Sequence, residues 1–221
     1  MNALIKILLA TALFLPTLSA HALSDQATPE QAATPGISPT RPGMHLVLNA
    51  GLTYGGDTIY RAVYTNGNTS NIKGGSLLQF GIGGLWQSDQ APVALMLSAN
   101  YHFDSVSGTN GNLKFSRVPI EMLAYYTGKE RFRIGGGIRL VNSPEAGGTV
   151  NGISDKIIFD NCNGLVGEIG YQMSSQGWLN FRFVSEQYQG KTHTTGTGTT
   201  SLAGTAPISG SHLGMNFSYE F

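Results

Sequence analysis

The stretch that decides the fold runs from Arg131 to Leu140 and reads RFRIGGGIRL. Its even-numbered positions hold Phe, Ile, Gly, Ile and Leu, whereas its odd-numbered positions hold three Arg and two Gly. A period of two is typical of a β-strand, because successive side chains point to opposite faces of a sheet. The stretch therefore predicts a strand with one apolar face and one cationic face.

The same alternation recurs along the chain and predicts eight strands in all. Long polar segments follow the first, third, fifth and seventh of them (55–71, 104–112, 142–163 and 189–211), and short turns follow the second, fourth and sixth. Short turns at one end and long loops at the other are typical of antiparallel barrels in bacterial outer membranes. The predicted strands are His45–Tyr54, Leu77–Gln87, Val93–Phe103, Val118–Thr127, Arg131–Leu140, Leu165–Met173, Leu179–Glu186 and His212–Phe221.

The distribution of charge decides what kind of barrel these strands form. A soluble β-sandwich or lipocalin-like barrel also alternates, but it keeps its apolar faces inside and its charges in water. If the apolar faces instead meet lipid, the charged faces fill the lumen and the sheet must close, because an unpaired backbone group in hydrocarbon costs several kcal/mol. The apolar faces carry no Asp, Glu, Lys or Arg, whereas the opposite faces carry Glu121, Arg131, Arg133, Arg139, Glu168, Arg182, Glu186 and Glu220.

Aromatic residues cluster at both ends of the apolar faces, where the two membrane interfaces would lie. The short-turn ends carry Trp86, Tyr126, Phe132, Tyr171, Tyr219 and Phe221, and the long-loop ends carry Tyr54, Tyr101 and Phe103. We therefore predict a closed, eight-stranded, antiparallel up-and-down transmembrane barrel with the charged side chains inside.

The predicted interior is an ion-paired core without an open pore, because eight strands enclose just enough room for side chains. Perturbed carboxylates also mark catalytic sites, so a catalytic role of these groups stays open as an alternative. Pro119 lies inside the fourth predicted strand, and a bulge there would leave the facing of Arg117 undecided. The predicted interior charges are Glu121, Arg133, Arg139, Glu168, Arg182 and Glu186.

The segment from Met44 to Phe221 resembles the small eight-stranded outer-membrane barrels of the OmpA/OmpX type. Its last strand has Phe217, Tyr219 and Phe221 at alternate positions, which is similar to the terminal signature that the barrel assembly machinery recognises in this family. The resemblance implies a monomer in the outer membrane, in contact with the assembly machinery during biogenesis and with membrane lipids including lipopolysaccharide.

The N-terminus predicts export and a domain organisation of three parts. Residues 1–22 combine an early Lys6, a short apolar run and Ala20-His21-Ala22, which is typical of a cleaved secretory signal peptide. Residues 23–43 contain four Pro among small polar residues and predict a disordered leader. Residues 44–221 would form the barrel.

Composition excludes several functional classes. The 221-residue chain has a formal net charge of zero, which argues against nucleic-acid binding. Its single cysteine, Cys162, excludes a disulfide framework and a thiolate metal cluster, although the role of this thiol stays undecided. We predict no metal site and no cofactor.

Two enzyme families share the small-barrel scaffold, a lipid A deacylase and a lipid A palmitoyltransferase, and both use His and Ser near the outer leaflet. Here the nearest candidates are His102, Asp104 and Ser105, which do not reproduce the His-x-Ser arrangement of the deacylase. We therefore expect a non-catalytic barrel that serves envelope structure or surface interaction through its extracellular loops. The partner of these loops would be an unknown extracellular ligand. The alternatives are an outer-leaflet lipid A-modifying enzyme and, third, a small-solute channel.

Overall fold

The computed structural model of the chain describes residues 41–63, 67–108, 111–196 and 198–221, which lie in one compact unit. The predicted signal peptide and nearly all of the predicted leader lie outside the described residues. No helix within the described ranges is long and apolar enough to cross a membrane.

Strands make up most of the described chain, and eight of them close a barrel. The barrel strands are β1, β4, β5, β6, β7, β9, β10 and β14; each pairs antiparallel with the next, and β1 pairs with β14. The predicted fold class, a closed eight-stranded up-and-down barrel, is confirmed. In chain order the strands are β1 (Gly43–Gly55), β2 (Thr58–Val63), β3 (Thr69–Lys73), β4 (Leu77–Gln87), β5 (Val93–Gly108), β6 (Gly111–Lys129), β7 (Phe132–Val150), β8 (Ile153–Phe159), β9 (Cys162–Gln172), β10 (Gly177–Tyr188), β11 (Gly190–Thr195), β12 (Gly198–Ser201), β13 (Ile208–Ser209) and β14 (His212–Glu220).

The outer surface of the barrel carries a continuous apolar belt. Its members face outward on all eight barrel strands and are exposed, which is the reverse of the distribution in a water-soluble sheet. We call this set the apolar belt and use "above" for the direction of the long-loop end. The belt contains Leu46, Leu48, Leu52, Phe80, Ile82, Leu95, Leu97, Ile120, Met122, Ile134, Ile138, Leu165, Ile169, Phe181, Phe183, Met215 and Phe217.

Above the belt the barrel wall continues as a sheet, in the order β5–β6–β7–β8–β11–β12, which we call the outer wall. Here the polarity is reversed: Leu113 and Phe115 are buried, whereas Lys114 between them is exposed. Most of the chain predicted as long polar connections is therefore β-structure. The prediction was wrong because it followed apolar residues on the outward face, and in the outer wall those positions are polar.

Pro119 does not disturb the facing of its strand. Arg117, Pro119 and Glu121 all point inward and are buried, so the alternation passes through the proline unbroken. The register of β6 against β7 nevertheless shifts beside Arg117. This places the irregularity in the neighbouring strand and settles the facing of Arg117.

The irregularity is a β-bulge in β7, where Ser143 and Pro144 together oppose Arg117. Ser143 has a positive φ of 49°, a conformation that L-residues adopt mainly in bulges and turns. The bulge exchanges the two faces of the strand: Val141 is buried before it and Ala146 after it. One extra residue thus lets β7 continue from the belt into the outer wall.

Arg131 does not face the interior, contrary to the sequence prediction. It is exposed and occupies the tight turn between β6 and β7, with a φ of 61°. Its guanidinium lies 5.2 Å from the ring centroid of Tyr171. The alternation was extended one residue too far, because β7 begins at Phe132.

An apolar cluster closes the long-loop end of the barrel. Its centre is an aromatic trio, Phe115, Phe159 and Tyr188, with ring centroids 5.4–5.9 Å apart. Ile72 on the β2–β3 hairpin is buried in the same cluster. We call these residues, with Leu113, Val141 and Ala146, the apolar cap.

The β2–β3 hairpin is held over the apolar cap by polar contacts at both of its strands. The Lys73 backbone N–H donates to Asp104 Oδ2 at 3.0 Å, and the Tyr60 hydroxyl donates to Asp155 of β8. His193 Nε2 lies 3.2 Å from the same carboxylate. Partial burial and, secondarily, the hydrogen bond to Asp155 raise the pKa of Tyr60, so its hydroxyl stays a donor at physiological pH.

Candidate functional site

The barrel interior contains a chain of alternating acidic and basic side chains at the level of the belt's upper half. It comprises three Glu and three Arg, so its formal charges cancel. Each member is at most 4% exposed. We call this set the ion cluster; it consists of Arg117, Glu121, Arg139, Glu168, Arg182 and Glu186.

Arg182 forms one half of the ion cluster. Its Nη2 lies 2.7 Å from Glu168 Oε2, and its Nη1 lies 2.9 Å from Glu121 Oε2. Glu168 is the direct cross-strand partner of Arg182, whereas Glu121 reaches it across the lumen. A buried charge is tolerated when opposite charges and hydrogen bonds surround it, and Arg182 has both.

Arg139 forms the other half. Its Nη1 lies 2.6 Å from Glu121 Oε1, which faces it directly across the β6–β7 pair, and its Nε lies 2.8 Å from Glu186 Oε2. Arg117 ends the chain, with its Nε 3.7 Å from Glu186 Oε1. Glu121 therefore links the two halves, because it contacts both Arg139 and Arg182.

Arg133 is the one predicted interior charge that lies apart from the ion cluster. Its Nη1 lies 2.6 Å from Glu220 Oε1 near the short-turn end, and its guanidinium is sandwiched between the rings of Tyr125 and Trp178, 4.6 and 4.4 Å from their centroids. A Cβ at Gly170 would lie 2.8 Å from Arg133 Cγ, so the missing side chain makes room for the arginine.

His102 borders the ion cluster, and its hydrogen bonds define its tautomer. Arg117 Nη2 lies 2.8 Å from Nδ1 and 3.3 Å from Nε2, Arg139 Nη2 lies 3.2 Å from Nδ1, and arginine can only donate. Nδ1 is therefore the acceptor, which leaves Nε2–H to donate to Thr53 Oγ1 at 2.8 Å. The ring of His212 packs edge-on against it, with centroids 5.2 Å apart.

The candidate catalytic residues are not brought together. His102 and Asp104 are buried on the inward face, whereas Ser105 is exposed on the opposite face of β5. Asp104 accepts from the backbone of Lys73 rather than orienting the imidazole. Because both nitrogens of His102 are engaged, it has no free site to take a proton from a serine hydroxyl in this arrangement.

Two further features bear on chemistry. Within the described ranges, no group of three or more His, Cys, Asp or Glu side chains is placed to hold a metal ion. Cys162 lies half-buried above the belt, beside the apolar cap. Burial and, to a lesser extent, Glu186 raise the pKa of its thiol to about 11.

Arg117 is the member of the ion cluster that the sequence did not assign. Its facing depended on where the β6–β7 register shifts, and that shift is caused by Ser143 and Pro144 in another strand. The only local signal was its odd number in phase with Glu121, which Pro119 made ambiguous.

The C-terminal residues Phe217 and Phe221 are exposed and point outward, and Tyr219 is partly buried.

No protein-family model matches the sequence, and no curated protein matches it significantly. Solved structures do match. Ail, the attachment invasion locus protein of Yersinia pestis, solved with the heparin analogue sucrose octasulfate, has 9% identity and a TM-score of 0.50 over 82% of this chain and 100% of Ail. Neisserial surface protein A has 10% identity and a TM-score of 0.47 over 81% and 97%.

A third structure, the outer membrane protein OprG from Pseudomonas aeruginosa, has 13% identity and a TM-score of 0.44 over 84% of this chain and 99% of OprG. The chain folds as a small eight-stranded outer-membrane barrel. The exposed apolar belt is in agreement with the membrane location predicted from the sequence. At these identities the likeness concerns the fold alone.

Proposed function

We propose that the chain is a non-catalytic, sealed barrel of the outer membrane that presents its outer wall at the cell surface for interaction. The ion cluster is the observation that carries this proposal. Its six long side chains reach across the lumen with almost no exposure. A solute or ion crossing the barrel would have to displace paired, buried charges, which costs far more than passing through a water-filled pore.

Two further layers support a sealed lumen. The apolar cap fills the barrel above the ion cluster with three packed aromatic rings. Below the ion cluster, the Arg133–Glu220 pair is bounded by Tyr125 and Trp178. A channel would need a continuous polar path through all three layers.

The outer wall supports an interaction role because it is a folded sheet rather than a set of loops. It ends at β12, whose four residues are all exposed and which pairs with β11 on one side; no described strand pairs with its other side. Such an edge has free backbone groups for an added strand.

The charge of the outer wall and hairpin is mixed, which does not favour a strongly anionic partner of the kind solved with Ail. Five basic and five acidic residues lie there among the described positions. The basic residues are Arg61, Lys73, Lys114, Lys156 and Lys191, and the acidic residues are Asp57, Asp104, Glu145, Asp155 and Asp160.

Planar-bilayer recording of the purified, folded protein tests the sealed barrel. We expect no stable single-channel steps, and regular steps would contradict the proposal. Folding is checked by the different migration of unheated and heated samples on a denaturing gel. A parallel incubation with radiolabelled lipid A tests catalysis: we expect no acyl release or transfer, and activity that Ser105→Ala abolishes would overturn the non-catalytic assignment.

A further inference from the structure

The upper edge of the apolar belt differs between the two sides of the barrel. On one side it is aromatic: Tyr54 and Tyr101 are exposed there, and the Lys114 amino group donates to the Tyr101 hydroxyl at 2.5 Å. On the side formed by β7, β9 and β10, no aromatic residue occupies this edge among the described residues. Asn163, Ser185 and Gln187 lie there instead, all exposed and facing outward.

These polar residues line a groove on the outer surface of the barrel, with a volume of about 420 Å³. Its lower part is apolar and belongs to the belt, because Ile138 pairs across the strands with Leu165. In its upper part each apolar residue faces a polar one on the next strand: Leu140 pairs with Asn163, and Leu165 pairs with Ser185. The lining of the groove therefore changes from apolar to polar at the upper edge of the belt.

The β7 bulge shapes the region directly above. The backbone N–H of Ser143 donates to Asn161 Oδ1 at 3.0 Å, which fixes the bulge against the start of β9. A second groove of about 530 Å³ lies here, and its lining includes Asn161, Asp160 and Lys191. Glu145 is already paired with Lys156 at 2.8 Å, so one acid and one base remain in this part of the lining.

We propose that the first groove, between β7, β9 and β10, binds a glycolipid of the outer leaflet. The sugar headgroup would lie against the amide and hydroxyl side chains, and an acyl chain would lie on Ile138 and Leu165. The proposal rests on the outer-membrane location given under Proposed function. Continuity with the apolar belt selects a membrane lipid, because the groove opens onto the surface that hydrocarbon covers. Side-chain amides and hydroxyls match the hydroxyl and amide groups of a sugar.

A phospholipid fits the same surface less well. Its headgroup offers mainly phosphate, for which a cluster of cations is the preferred partner, whereas a glycolipid adds sugar hydroxyl and amide groups beside any phosphate. Here Lys191 is accompanied by Asp160, and Lys156 is occupied by Glu145. By contrast, Asn163, Ser185 and Gln187 make no side-chain hydrogen bond within the described ranges, so their donors and acceptors are available to a ligand.

Native mass spectrometry of the purified barrel in detergent, with added lipid A or added phosphatidylglycerol, tests the proposal. We expect lipid A to be retained about tenfold more strongly than phosphatidylglycerol, and the double variant Asn163→Leu/Gln187→Leu to lose about tenfold in lipid A affinity, because two hydrogen-bonding groups are removed. Asn112→Leu is the control: this exposed asparagine lies at the start of β6, between Ser107 and Thr149 and outside the groove lining, and the variant should retain lipid A normally.

Equal retention of both lipids, no retention of lipid A, or unchanged binding by the double variant would each overturn the glycolipid site. These outcomes differ from those expected if the proposed function is wrong. If the chain is not a sealed barrel, it will lack heat-modifiable migration or will conduct ions in a planar bilayer. Each variant is therefore checked for heat-modifiable migration before its lipid binding is compared.

Discussion

Individual side chains in the ion cluster are stabilised by their neighbours rather than by water. Glu121 illustrates this, because Arg139 and Arg182 approach its two carboxylate oxygens from different strands. Removing one partner of such a network leaves an uncompensated buried charge, and this costs more than the pair contributes when it is intact. Substitutions inside the barrel should therefore have much larger effects than substitutions of exposed ion pairs.

We expect Arg139→Met to lower the free energy of unfolding by about 3 kcal/mol, because Glu121 and Glu186 each lose a cation in the interior. Urea unfolding of the protein in lipid vesicles, followed by tryptophan fluorescence, measures the change. The control is Lys156→Met, whose partner Glu145 is 49% exposed and which should change stability by less than about 1 kcal/mol. Equal effects of the two variants would contradict an ion-paired interior.

Cys162 should react slowly with iodoacetamide at neutral pH. Burial raises the pKa of the thiol to about 11, so roughly one molecule in a thousand is a thiolate at pH 8. Because the thiolate is the nucleophile, the alkylation rate of the folded protein should rise about tenfold per pH unit up to about pH 11. Mass spectrometry follows the reaction, with the urea-unfolded protein as control; a rate that levels off near pH 9 would show an ordinary thiol.

The strand β7 shows how one element adapts to several surroundings. Its inward glycines allow β6 to pack closely, since a Cβ at Gly137 would collide with the backbone carbonyl oxygen of Met122. Farther along, the bulge at Ser143 changes which face is buried. The strand can therefore contribute Arg139 to the ion cluster and Ala146 to the apolar cap, although their numbers differ by an odd interval.

Gly137→Ala should destabilise the barrel by about 1–3 kcal/mol, because the added methyl group meets backbone that cannot move away without displacing β6. Gly167→Ala is the matched control: it lies on the neighbouring strand β9, and nothing lies within 4 Å of the position its Cβ would occupy. The same urea titration in vesicles compares the two. If Gly137→Ala is as stable as Gly167→Ala, the close packing of β6 on β7 is not as described.

At the scale of the whole molecule, the barrel sheet has one part suited to lipid, the belt, and one part suited to water, the outer wall. Within the belt the apolar side chains face outward and the charges face inward, whereas in the outer wall Phe115 is buried and Lys114 is exposed. The change of polarity occurs at the upper edge of the belt, where the exposed aromatic and polar residues lie. A membrane boundary at this level accounts for the polarity of both the belt and the outer wall, because each side of the sheet is apolar where it does not meet water.

This reversal also explains which parts of the fold could be predicted from the sequence. Leu77–Gln87 lies in the belt and was predicted with the bounds that β4 has. The strand predicted from Val118 begins at Gly111, because outside the membrane its outward positions are polar. The inward placement of Glu121 and Arg139 follows from period two alone. That of Arg117 does not, since it depends on a bulge in the strand beside it.

Fluorescence quenching by lipids brominated in their acyl chains tests most directly that the apolar face meets hydrocarbon. The described chain has one tryptophan on each face: Trp86 is 43% exposed on the belt side, and Trp178 is 4% exposed inside the barrel beside Arg133. Two single-tryptophan variants, Trp178→Phe and Trp86→Phe, are reconstituted in vesicles of brominated or ordinary lipid. We predict strong quenching of Trp86 and weak quenching of Trp178; stronger quenching of Trp178, or none of Trp86, would contradict the inside-out barrel.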